Sequence, residues 1–228
     1  MREIVFDTET TGLDPVQGHR LVEIGCVELL NRFPTGKIFH CYLNPERDMP
    51  VEAFAVHGLA IEFLKNHKLF VEHADEFLAF VGDAPLVAHN GYFDLSFINA
   101  ELERAKKPAF GRERIVDTLM LARRKHPGAS NKLDDLCTRY RIDNSHRTKH
   151  GALLDAELLA EVYVELIGAR QAMLGLASGN AAAMPESTGA SSRVRPAPLS
   201  PRAVEAEIAA HEDFIRGLGE KTIWQDYR

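Results

Sequence analysis

Three strand-like runs crowd into the first 43 residues with only short gaps between them. Glu3–Asp7 is short with an apolar centre. Leu21–Leu29 is longer and partly alternating, and Lys37–Leu43 follows Pro34-Thr35-Gly36, a turn signal. Runs so close together predict an antiparallel meander. Further along the chain the rhythm changes. A helical stretch around Val71–Val81 leads to Pro85–His89, read as a buried strand. A helix from near Phe93, with Leu95, Ile98 and Leu102 at helical spacing, precedes a fifth strand at Arg114–Asp117. Helices are expected at about 117–125, 132–140 and 152–167, the last carrying a stripe of Leu154, Leu158, Leu159, Val162 and Leu166. The order predicts an α/β fold: a mixed five-stranded sheet flanked by helices.

Composition narrows the class. Of 228 residues, 45% are hydrophobic and 26% charged, the balance of a soluble globular protein. The start MREIVFDTETTG meets acidic residues at once and does not read as a secretory signal. No run approaches the ~18 apolar residues of a membrane span, so no membrane partner is expected. Cys26, Cys41 and Cys137 are odd in number and widely spaced. That excludes a disulfide scaffold or a CxxC zinc site and predicts a reducing cytoplasm. The net charge of −6 argues against a broad basic face for gripping nucleic acid.

From Ala177 to Pro201 the chain is mostly Ala, Gly, Ser, Pro and Thr, the composition of a flexible linker. Ser200-Pro201 then has the chemistry of a helix start. Val204, Ile208, His211, Ile215 and Leu218 continue at helical spacing. The predicted organisation is a catalytic domain at 1–170, a linker at 171–200 and a tail at 201–228.

Three clusters carry candidate chemistry. In Asp7-Thr8-Glu9, residues i and i+2 of a strand share a face, so two carboxylates emerge side by side. Their repulsion is costly without a cation between them. Gly12 follows, and lets backbone approach a ligand. The same letters also fit a solvated strand end and a turn. In His89-Asn90-Gly91-Tyr92-Phe93-Asp94, Asp94 falls in the first turn of a helix, where an anion is favoured, and plain capping explains it equally well. In His150-Gly151-Ala152-Leu153-Leu154-Asp155, the Asp sits among apolar neighbours and needs a partner or a metal, unless it lies on the polar face. Together, Asp7, Glu9, Asp94, Asp155 and His150 are what a two-metal phosphodiesterase site needs. Hard cations take oxygen ligands, two of them stabilise both oxygens of an in-line displacement, and imidazole is suited to proton transfer near neutral pH.

The ordered motifs DTETTG, HNGYFD and HGALLDA resemble the DEDDh family of 3′→5′ exonucleases. The resemblance implies a ribonuclease-H-like fold. It also implies that Asp7, Glu9, Asp94 and Asp155 hold two divalent ions, Mg²⁺ or Mn²⁺, with His150 as general base. Thr11, Gly12, Glu52, His57 and Phe93 match family positions around the terminal nucleotide; packing under a loop is the other reading of His57 and Phe93. Leu21–Gly25, Glu52–Gly58, Asp143-Asn144-Ser145 before Arg147-Thr148, and Glu207–Glu212 with Trp224 resemble the proofreading branch of the family.

That branch implies partners: a single-stranded or frayed DNA 3′ end and a replicative polymerase at the fork in a bacterial cytoplasm. The tail residues Val204, Ile208, Ile215, Leu218 and Trp224 are expected in a polymerase groove, since an apolar stripe on a tether has no evident core to join. Docking back on the catalytic domain is the alternative. Gln171, Leu174 and Leu176 resemble a peptide that binds the bacterial sliding clamp, and a ragged helix end at 171–176 gives the same letters. Two other functions fit less well. A free-standing exoribonuclease trimming RNA 3′ ends has no need of a tethered helix, and a non-catalytic structural subunit has no need of five intact catalytic residues.

Overall fold

The computed structural model describes residues 1–147, 149–168 and 204–218. β1 (Arg2–Thr10), β2 (Leu21–Leu30) and β3 (Phe33–Tyr42) form an antiparallel meander. β4 (Leu86–Ala88) pairs parallel to β1, and β5 (Ile115–Asp117) parallel to β4. The sheet order is β3-β2-β1-β4-β5. This is the mixed five-stranded sheet that the spacing predicts.

Alternation along β1 divides the core. Ile4 and Phe6 join Ile24 and Cys26 of β2 on one face. They pack with Phe70, Ala74 and Phe77 of α3 (Phe70–Val81) and with Leu95, Phe97 and Ile98 of α4 (Gly91–Arg104), elements numbered by their order in the chain. Val5, Leu29 and Val87 face the other way, against Leu159, Ala160 and Tyr163 of α7 (Ala152–Leu166). α5 (Thr118–Lys125) and α6 (Leu133–Tyr140) close a third cluster against α7 through Ala122, Leu136, Cys137, Leu158 and Val162. The three cysteines are free and buried.

Three local expectations change. The hairpin between β2 and β3 turns at Asn31-Arg32, both with positive φ (52° and 74°), while Pro34-Thr35-Gly36 lies inside β3. The register shifts between Val27 and Leu29, so the Pro–Gly signal marks a bulge and not the turn. Between β3 and α3 the chain forms α1 (Val51–His57) and α2 (Ile61–Leu64), neither of which the periodicity marks. α1 buries only His57, so it has no apolar stripe. Its signals are Pro50 at the start and Gly58, left-handed at φ 74°, at the end.

α8 (Glu205–Gly217) belongs to a separate unit of the chain. It begins after an extended Val204, whose N–H donates to the Glu207 carboxylate at 3.0 Å; the predicted start at Ser200-Pro201 lies outside the described residues. Val204, Ile208 and Leu218 are exposed, Ile215 half-buried, and the stripe gains an exposed Phe214 that helical spacing had not marked. Gln171, Leu174, Leu176 and Trp224, and with them the linker, lie outside the described residues. Among the described residues no helix is long and apolar enough to cross a membrane.

Candidate active site

Asp7 and Glu9 stand opposite Gly25 and Glu23 of β2, on the face that α7 covers. Gly25 is what lets α7 come so close. A Cβ there would lie 2.2 Å from the Leu153 backbone nitrogen and 2.3 Å from the Ala152 carbonyl carbon. The first turn of α7 therefore rests directly on β2, and it carries Asp155 to the two β1 carboxylates. Ligand atoms of Glu9, His150 and Asp155 all lie within 4.8 Å of one another.

Asp94 arrives from the opposite face. It sits buried in the first turn of α4, behind an Asn90 with left-handed backbone (φ 64°). Thr8 points away from Asp7 and Glu9 toward α4, and its hydroxyl donates to Asp94 Oδ1 at 2.6 Å. Thr8 thus ties the second motif to the first, a role that its place between two acids did not signal.

The electrostatics are those of crowded anions. Burial of its carboxyl, with the charges of Asp94, Glu9 and Asp155, holds Asp7 well above the usual carboxylate range. Burial, then Asp155, Glu23 and Asp94, pushes Glu9 up to about 8. Burial raises Asp94 to about 7 against the hydrogen bonds from Thr8. Asp155 goes the other way. Burial would raise it, but Arg147 and His150 together hold it below its ordinary value. Arg147 Nε and Nη2 donate to the two carboxylate oxygens at 2.6 and 2.7 Å, and Nη1 reaches Asp134 at 2.6 Å. His150 Nδ1 lies 3.1 Å from Asp155 Oδ2 and 2.7 Å from Arg147 Nη2, with the ring half-exposed. Arg147 was legible only as part of a resemblance. Its partner Asp155 is close in sequence, yet no spacing rule pairs a loop arginine with a helical acid.

A donor set dominated by crowded carboxylate oxygens, with the His150 imidazole beside Glu9 and Asp155, fits a hard divalent cation.

Two cavities open from this cluster. The smaller, about 540 Å³, is lined by Glu9 and by all five predicted nucleotide-contacting residues: Thr11, Gly12, Glu52, His57 and Phe93. His57 is buried, and burial lowers its pKa, so the ring is neutral. Its Nδ1 accepts the Leu59 N–H at 3.0 Å, which leaves the proton on Nε2. Nε2 is buried, with the Thr10 backbone close by. Phe93 packs tilted against Phe97, with 5.1 Å between ring centroids and 51° between the planes. The Thr11 hydroxyl bonds within the protein, accepting from Arg20 N at 3.0 Å and lying 3.2 Å from His19 Nδ1. Gly12 is required by that same histidine, since a Cβ would lie 2.3 Å from the His19 ring. The larger cavity, about 920 Å³, is lined by Asp7, Asp155 and His150 on one side and by residues of α5 and α6 on the other. His89 also lines it, its Nδ1 bonded to Thr118 Oγ1 at 2.9 Å.

Known proteins bear on this arrangement. An exonuclease family model (RNase_T) matches residues 4–163. DNA polymerase III subunit epsilon of Rickettsia felis is 45% identical over 222 residues, covering 96% of this chain and 97% of the relative. The Escherichia coli K12 protein of the same name is 42% identical over 236 residues, covering 98% and 97%. Among solved structures, exonuclease I superposes with a TM-score of 0.63 at 16% identity, over 75% of this chain and 41% of that one. Exonuclease X in complex with 5′ overhanging duplex DNA gives 0.54 at 23%, over 74% and 91%. The structural likenesses carry the fold, and the sequence identities carry the rest: the chain belongs to the RNase_T exonuclease family and, within it, to the epsilon subunits of DNA polymerase III, which are 3′→5′ exonucleases.

Proposed function

We propose that this chain removes mispaired 3′-terminal nucleotides from DNA as the proofreading partner of a bacterial replicative polymerase. The observation that carries the reading is the crowding of the Asp7, Glu9, Asp94 and Asp155 carboxylates, with His150 beside Glu9 and Asp155, where Glu9 lines a nucleoside-sized cavity. The family is metal-dependent. Here Asp7, Glu9, Asp94 and Asp155 would hold two divalent cations, Mg²⁺ or Mn²⁺, which supply Lewis-acid stabilisation of the attacking and leaving oxygens.

The remaining work falls to side chains. His150 takes a proton from water as the water oxygen bonds to phosphorus, and the bond to the upstream 3′ oxygen breaks, releasing a nucleoside 5′-monophosphate. Asp155 orients the His150 ring, as a third group commonly orients a base. His57 Nε2–H and Glu52 face the sugar and base, and Phe93 offers an aromatic wall. Stacking of that kind is tolerant of sequence, as an enzyme that removes any terminal base requires. Selectivity for mispairs follows from fraying, since an unpaired end costs less to draw into a single-strand site.

The partner reading rests on α8 and the tail. An amphipathic helix of thirteen residues is marginal alone, and Val204, Ile208, Ile215 and Leu218 with Trp224 would bury their apolar face in the polymerase. Tethering raises the local concentration of an acidic nuclease at the primer end without new DNA contacts. Gln171, Leu174 and Leu176 would bind the sliding clamp. The setting is the replication fork in the cytoplasm. The test is excision of a mispaired primer end, with and without polymerase, by the full chain and by a truncation after Ala177. The truncated form should keep activity on single strands and lose both polymerase binding and its stimulation. Equal polymerase affinity of the two forms would remove the tail from the interface.

A further inference from the structure

The smaller cavity, about 540 Å³, is large enough for one nucleoside. It and the larger cavity are joined through the carboxylates: Glu9 lines one, Asp7 and Asp155 the other. A strand whose last nucleoside fills the smaller cavity has its terminal phosphodiester at those carboxylates. The preceding nucleotides then leave through the larger space. Its far wall carries Arg123 near the end of α5 and Lys132 at the start of α6. Both are exposed. Neither makes an ion pair with a carboxylate of the described residues, whereas Arg147 in the same wall is committed to Asp155 and Asp134. Asp134, an acid of the same lining, is itself taken up by Arg147 and by Asn144 at 2.9 Å. The loop between α5 and α6 is held in shape by buried Asn131, whose amide donates to the Ala129 carbonyl at 2.9 Å. The two unpaired cations thus sit on a fixed loop and a helix end, in a chain of net charge −6.

We propose that the larger cavity is the track of the strand upstream of the scissile bond, with Arg123 and Lys132 binding its phosphates. The inference rests on the exonuclease reading and adds to it the residues that position the strand. Phosphate contacts of this kind fix register without reading sequence. They also give single-strand binding its salt dependence, about 0.7 in log–log slope per phosphate neutralised.

The test compares two substrates with the full chain in Mg²⁺. One is the 5′-(p-nitrophenyl) ester of thymidine monophosphate, which has no upstream nucleotide. The other is a single-stranded DNA dodecamer. For Arg123→Gln with Lys132→Gln, the ratio of kcat/KM on the dodecamer to that on the ester should fall at least about tenfold, mainly through KM. The salt slope on the dodecamer should become shallower by about 1.4. Arg123→Lys with Lys132→Arg should restore both, and circular-dichroism melts should match wild type. A ratio and salt slope unchanged in the neutral variant would overturn the inference, as would failure of the charge-retaining pair to rescue. Hydrolysis of neither substrate by wild type would overturn the exonuclease reading itself, a different outcome from loss on the dodecamer alone.

Discussion

Arg147 holds Asp155 by both carboxylate oxygens, at 2.6 and 2.7 Å, with only 7% of the arginine side chain and 3% of the aspartate side chain exposed. Removing one partner of such a pair leaves a buried charge uncompensated, at a cost of about 3 kcal/mol. Arg147→Gln should therefore lower the stability of the metal-free protein by roughly that amount at pH 7. The sign with pH follows from Asp155, whose folded pKa is depressed. Its contribution is present above the unfolded value near ~3.9 and is lost as pH falls through the folded one. The gap between wild type and variant should narrow below about pH 4. Urea unfolding at pH 7 and at about pH 2.5 measures it, and a pH-independent gap would mean that the pairing contributes little.

The other three carboxylates predict the opposite trend. Glu9 at about 8, Asp94 at about 7 and Asp7 well above its usual range all bind protons more tightly in the fold than in the unfolded chain. Their contribution is full below the unfolded values near ~4 and is lost as pH rises through the folded ones. In EDTA the melting temperature should fall between pH 5 and pH 8. Mg²⁺ or Mn²⁺ should reverse the fall, because a bound cation favours the ionised ligands. Thermal melts across that range, with and without metal, give the comparison. A metal-free melting temperature that rises toward pH 8 would contradict the raised pKa values.

How much of this could be read from the chain itself varied with the range of the interactions. The period of two placed Asp7 and Glu9 on one face, and the helical stripe placed α7, because both are local consequences of backbone geometry. The β2–β3 turn was misplaced because Pro34 and Gly36 are stronger punctuation than Asn31-Arg32, although the latter pair takes the positive φ. α1 went unseen because it buries only His57 and so leaves no stripe. The contacts of Thr8 with Asp94 and of Arg147 with Asp155 and Asp134 depend on where separate elements dock, which spacing along the chain does not encode.

Gly25 offers a test of how the site is assembled. A methyl group there meets the α7 backbone at 2.2 Å, not a side chain that can turn aside. Gly25→Ala should destabilise the protein by about 1–3 kcal/mol through overpacking. It should also lower activity more than stability alone explains, because α7 must shift and take Asp155 with it. Activity measured well below the melting temperature separates the two effects, and full activity there would mean that the close approach of α7 is not needed for catalysis.

His150→Ala should lower kcat by at least about a hundredfold, the scale of a positioned base, with a smaller change in KM. A normal kcat would pass the role to another group, and half-buried His89, which lines the same cavity, is the next candidate.

The most direct measurement is release of nucleotides from a single strand labelled at either end, followed with Mg²⁺ for wild type and Asp7→Ala. Wild type should release nucleoside 5′-monophosphates one at a time from the 3′ end and stop when EDTA is added. Asp7→Ala should melt no lower than wild type in EDTA, since it removes one of the crowded carboxylates. Its activity should be lower by about a thousandfold or more, as several kcal/mol of charge stabilisation are lost at about 1.4 kcal/mol per decade. Substantial Mg²⁺-dependent release by Asp7→Ala would contradict the assignment of these carboxylates as the metal-holding catalytic centre.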